Sequence, residues 1–98
     1  MALDPTPPRA LGAVLREWIE RMGYRQKLDE ARAVEAWAEV AGPTIGAMTE
    51  AVWIRHGQLF VKVRSAAWRH QLHLQREGWR DRLNRHLGRT VVDEVVFR

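Results

Sequence analysis

The chain has 98 residues, 46% of them hydrophobic and 29% charged, with five Trp and no Cys. This is a globular composition with room for one core, and it excludes disulfides, thiolate zinc sites and cysteine redox chemistry. The net charge of +4 is unevenly spread, since residues 1–54 hold six Lys/Arg against eight Asp/Glu and residues 55–98 hold ten against four, an asymmetry that fits a polyanion binder.

Residues 1–8 contain Pro5, Pro7 and Pro8 and read as an extended lead-in, with Thr6 as a helix cap and Pro7 in the first turn. Residues 9–98 are then expected to form a single domain. A first helix runs to Met22 on the apolar spacing of Leu11, Val14, Leu15, Trp18, Ile19 and Met22, and Gly23 is its expected stop. A second helix, Gln26 to Ala41, carries Leu28, Ala31, Val34, Trp37 and Val40 on one stripe and ends at Gly42-Pro43. Thr44 to Thr49 is a connector with room for one short helical turn.

From Ala51 the period changes to two. Val52, Ile54, Leu59, Val61 and Val63 alternate across a His56-Gly57 turn, which predicts a β-hairpin pairing Arg55 with Gln58, Trp53 with Phe60 and Ala51 with Lys62. One face is aliphatic, and the other is aromatic and basic. Ser65 caps one long helix reaching Gly88, with Trp68, Leu72, Trp79, Leu83 and Leu87 turned to the core. Val91 to Arg98 closes the chain as a third strand, although Asp93-Glu94 breaks its alternation. The fold class expected is α+β: two N-terminal helices, a hairpin, a long helix and a third strand, with helices on one face of a small sheet.

The sequence has no nucleophile elbow, phosphate loop, zinc-protease or dinucleotide motif, so no enzyme, cofactor or small-molecule substrate is expected. His70, His73 and Glu77 share a helical spacing, but no further ligand cluster accompanies them and no metal is assigned. The N-terminus lacks the basic start and apolar run of a secretory signal, and no apolar run is long enough to span a membrane, so a cytoplasmic address with no membrane partner is expected.

Arg69, His73, Arg76 and Arg80 recur by four, three and four, which predicts a basic stripe, with Asp81 paired to Arg85. Arg82, Arg85 and Arg89 extend it, and Lys62 and Arg64 continue it from the hairpin. The helix dipole accounts for cations at Arg85 and Arg89 but not at Arg69 or Arg76. Trp53 and Phe60, beside Lys62 and Arg64, suit either stacking with unpaired bases or contact with a protein, and the N-terminal helix could equally cover them.

Ala36-Trp37-Ala38-Glu39-Val40-Ala41-Gly42-Pro43-Thr44-Ile45-Gly46, then Thr49, then Gly57-Gln58-Leu59-Phe60-Val61-Lys62-Val63-Arg64-Ser65-Ala66-Ala67-Trp68 and Val95-Val96-Phe97-Arg98, resemble the DciA family over residues 10–98. The resemblance implies a bacterial, K-homology-like, non-enzymatic domain that binds DNA and assists loading of the replicative DnaB-type helicase. It implies single-stranded or tailed DNA and the helicase as partners; RNA binding and a purely protein-docking role are the alternatives. K-homology domains clamp nucleic acid with a G-x-x-G loop. No such tetrapeptide occurs here, so binding must use another surface.

Overall fold

A computed structural model describes residues 8–98, with side-chain surroundings from Leu11 onward. The elements are α1 (Pro8–Met48), β1 (Thr49–Arg55), β2 (Gln58–Val63), α2 (Ala66–Leu74), α3 (Arg76–Leu87) and β3 (Glu94–Phe97). The Thr6 cap, the Pro7 turn and the lead-in before Pro8 lie outside the described residues.

The two expected N-terminal helices are one. Helix α1 runs through Gly23, which costs about 1 kcal/mol relative to Ala inside a helix but is followed by Arg25-Gln26-Lys27-Leu28, good helix formers with no proline. The real break is at Gly42, with φ 87° and ψ 172°. Pro43, preset for a first turn and needing no N–H there, starts the short final segment to Met48, the turn expected after Gly42-Pro43. Trp37 holds this corner: its Nε1 donates to Thr49 Oγ1 at 3.1 Å, and Thr49 Oγ1 donates to the Ile45 carbonyl at 2.9 Å.

The hairpin has the register its alternation predicts, Arg55 to Gln58, Ile54 to Leu59, Trp53 to Phe60, Val52 to Val61 and Ala51 to Lys62. His56 and Gly57 take φ of 50° and 78°, the left-handed pair a two-residue hairpin turn requires. A side chain on Gly57 would also collide with the Asp93 carboxylate. Strand β3 is shorter than expected, Glu94–Phe97, and runs parallel to β2, which is therefore the central strand of a three-stranded mixed sheet.

The expected long helix is two helices. Ser65 caps α2, its Oγ accepting from the Trp68 N–H, but the chain leaves helical geometry at Gln75 (φ −105°, ψ 17°). No proline announces that break, and Gly78 just beyond it is the one weak signal in the sequence. Trp68, expected in the core, lies in the first turn of α2 and is 41% exposed. Gly88 ends α3 in a left-handed cap whose N–H reaches the Asn84 and Arg85 carbonyls.

All three helices cover one side of the sheet. Leu59, Val61 and Val63 from β2 and Val95 and Phe97 from β3 pack with Ala33, Ala36, Trp37, Leu72, Trp79, Leu83 and Val92. Trp37 is the centre, 5.3 Å from Trp79 at 62° and 5.6 Å from Phe97 at 57°, the tilted geometries favoured by aromatic quadrupoles. The first half of α1 does not join this core: Leu11, Val14, Leu15, Trp18, Ile19 and Met22, expected to pack, are each more than half exposed.

Asn84 secures the turn from α3 into β3. Its Oδ1 accepts from the N–H groups of Val91 at 3.0 Å and Val92 at 2.9 Å, and its Nδ2 donates to the Val92 carbonyl at 2.8 Å. Asn84→Ala leaves three backbone groups unpaired next to fully buried Val92. It is predicted to lower stability by about 3 kcal/mol or more in urea denaturation. His56→Asn, placing the residue best suited to the left-handed turn, is predicted to raise it by about 0.5 kcal/mol.

Candidate nucleic-acid interface

Because β2 is paired on both edges, its alternate residues Phe60 and Lys62 must project from the sheet face opposite the helices. Trp53 stacks on Phe60 across the β1–β2 pair, with centroids 5.4 Å apart and planes 9° apart. The Arg98 guanidinium sits over the Phe60 ring, 4.8 Å from its centroid. Trp53, Phe60 and Arg98 thus form a ladder across the outer face. Phe60 is only 8% exposed because its neighbours cover it, whereas Trp53 is 39% exposed. The N-terminal helix does not cover them.

Parallel pairing places Arg98 beside Lys62: Arg98 donates its N–H to the Val61 carbonyl at 2.9 Å and accepts from the Val63 N–H at 2.8 Å. Arg64 follows at the end of β2. Glu50, the extra residue where the β1–β2 register shifts, is 3.6 Å from both Lys62 Nζ and Arg64 Nε. One corner of the open face therefore gathers Lys62 and Arg64, paired with one carboxylate, and Arg98, next to an exposed indole.

The helical cations are divided between α2 and α3, and several of them are engaged by neighbouring groups. Arg76 turns back across the Gln75 break, its Nη1 donating to the His73 carbonyl at 3.0 Å, and so caps the end of α2. Arg80 pairs with its neighbour Asp81 at 3.0 Å, in place of the expected Asp81–Arg85 pair. That hydrogen bond and the Asp81 charge hold the guanidinium above its ordinary pKa. Arg76 and Arg80 line a shallow cleft of about 370 Å³ with Glu77, Asp93 and Glu94, so carboxylates face them there. Arg69 lies half-buried on α2.

Successive helical residues turn by about 100°, which puts Arg82 and Arg85 on other sides of α3 from Arg80. Arg82 lies over the Trp79 ring at 4.9 Å. Arg89 reaches back to Asp29 on α1 at 3.2 Å and ties the end of α3 to that helix. Among the described residues no group of three or more His, Asp or Glu is arranged to hold a metal ion.

Two contributors escape sequence reasoning. Arg98 comes to lie beside Lys62 only because β3 is parallel to β2, a direction the residues of β3 do not encode. Glu50 reaches both cations from an irregularity that the hairpin's regular alternation conceals.

The Trp37 corner, the Gly57 turn, β2 and the Ser65 cap all fall inside one match. The family model described as "Dna[CI] antecedent, DciA" covers residues 10–97. The chain belongs to the DciA family. It is also similar to a UPF0232 protein of Rhodococcus jostii (strain RHA1), 31% identical over 71 residues, which is 72% of this chain and 38% of that protein. The chain thus spans about two fifths of that DciA-like relative.

The two tryptophans that organise the opposite sheet faces should differ in energetic weight. Trp37→Ala empties the centre of the core and is predicted to cost about 3–5 kcal/mol. Trp53→Ala removes one stacked, partly exposed ring and is predicted to cost about 1 kcal/mol while preserving a cooperative urea transition.

Proposed function

We propose that this DciA-family chain is a non-enzymatic, DNA-binding accessory of the bacterial replicative helicase, acting in the cytoplasm to assist helicase loading. Membership of the family supports the helicase setting. The observation that carries the DNA reading is the corner of Lys62, Arg64 and Arg98 beside exposed Trp53 on the open sheet face. Single-stranded or tailed DNA is the favoured polymer, because cations hold phosphates while an unpaired base stacks on the free side of the indole. No base-specific readout is built in. The contact dispenses with a G-x-x-G clamp, which the sequence lacks.

Arg69, Arg76, Arg80, Arg82, Arg85 and Arg89 are proposed as a secondary field rather than a second groove. Arg76, Arg80 and Arg89 already have protein partners. Their charge still raises the local concentration of a polyanion.

The binding should be electrostatic, with log K falling by about 0.7 per phosphate contact for each tenfold rise in salt. Lys62→Glu with Arg64→Glu is predicted to weaken binding to mixed-sequence single-stranded DNA by at least about tenfold and to flatten the salt slope. Glu50→Gln, which frees both cations, is predicted to strengthen binding severalfold. Stability should change little in either case, since exposed ion pairs contribute about 0–1 kcal/mol. Salt-insensitive binding, or equal affinity in all three proteins, contradicts the reading. For the partner, a pull-down of purified replicative helicase in the presence of nuclease should retain the helicase. Loss on nuclease treatment would reduce the association to bridging by DNA.

A further inference from the structure

Eleven residues make about three turns of α-helix, so side chains eleven apart lie in line. Leu11, Met22 and Ala33 are so spaced, as are Trp18, Asp29 and Val40. The apolar stripe of the exposed half of α1 is therefore the same stripe that enters the core through Ala33, Trp37 and Val40. The helix simply outruns the rest of the molecule, which measures 70 × 21 × 19 Å. The body ends at the hairpin turn and the α3–β3 loop, where Gly57, Arg89, Thr90 and Val91 face Trp18, Ile19 and Met22 across a cleft of about 830 Å³. The Asp29–Arg89 pair marks that boundary.

Beyond it, Leu11, Val14, Leu15, Trp18, Ile19 and Met22 are 52–64% exposed. At on the order of 90 Å² each they make one patch of about 500 Å², large for a surface that stays in water. A helix projecting this far gains little from propensity alone and needs a packed face. The spacing of the six is the same read from either end: positions 11 and 22, 14 and 19, and 15 and 18 are equidistant from the midpoint. Laid antiparallel on a second copy about that midpoint, Leu11 meets Met22 and Leu15 meets Trp18, and every layer is apolar against apolar. Two such stripes, fully covered, bury about 1,000 Å², which just reaches the lower bound for a specific interface. In this register Pro8 of one arm reaches the level of Arg25 of the other, within the cleft that Gly57, Arg89, Thr90 and Val91 border.

We infer that the projecting half of α1 is a dimerisation arm, which pairs antiparallel with the arm of a second copy of this chain. The pair is isologous and closed, so it stops at two. It carries two open sheet faces in one particle, although the inference does not depend on what those faces bind.

Sedimentation equilibrium of the full chain, with crosslinking, tests it. The wild type is expected to be a dimer at about 100 µM, and Leu15→Asp with Ile19→Asp a monomer of unchanged core, read from the near-ultraviolet signal of the buried tryptophans. The sequence has no cysteine, so single introduced thiols report register directly. A mixture of Leu11→Cys and Met22→Cys chains should form the mixed disulfide, while Leu11→Cys alone should not. A monomeric wild type, a doubly substituted chain that still dimerises, or efficient coupling of Leu11→Cys to itself would each overturn the proposal.

Discussion

Strand β2 is hydrogen-bonded along both edges, to β1 and to β3, and its residues can only alternate between the two faces of the sheet. Leu59, Val61 and Val63 are committed to the helical side, where they are almost fully buried. Phe60 and Lys62 are committed to the other. A one-residue slip would exchange these sets, so the His56-Gly57 turn that fixes the register also fixes the binding chemistry. Core and candidate interface are two consequences of one strand.

The helical layer depends on the corner at Gly42. Its left-handed backbone lets the chain turn from α1 into the sheet within a few residues, and the Trp37–Thr49–Ile45 hydrogen bonds join the two sides of that turn. Trp37 then meets Trp79 and Phe97, bringing α1, α3 and β3 to one point. Asn84 performs the corresponding task at the other end by holding the loop before β3. With β3 fixed in parallel beside β2, Arg98 falls into place over Phe60 and next to Lys62.

What was legible in the sequence follows from the range of the signal. The hairpin register, the Ser65 cap, the Gly88 stop and the aliphatic inner face rest on local chemistry and appear where the residues place them. The α1 stripe was equally legible as a helix, but periodicity reports which side is apolar and not whether anything lies beneath it; hence Leu11 to Met22 are helical yet uncovered. Gly23 looked like a stop because glycine tolerates one, whereas Gly42 followed by Pro43 requires one. The division of α2 from α3 at Gln75 follows no strong local breaker, and it leaves Arg69 and His73 on one helix and Arg76 and Arg80 on the next. Arg98 and Glu50 depend on strand direction and on a register shift, both of which are non-local.

On the proposed function, the open sheet face, rather than the helical arginines, meets the nucleic acid. Two-dimensional amide and indole NMR during titration with a short mixed-sequence single-stranded DNA tests it most directly. The Trp53 indole and the amides of Lys62, Arg64 and Arg98 are expected to shift together, while the buried Trp37 and Trp79 indoles stay in place. A titration that moves α3 amides around Arg80 and Arg85 and leaves Trp53 unchanged would contradict it.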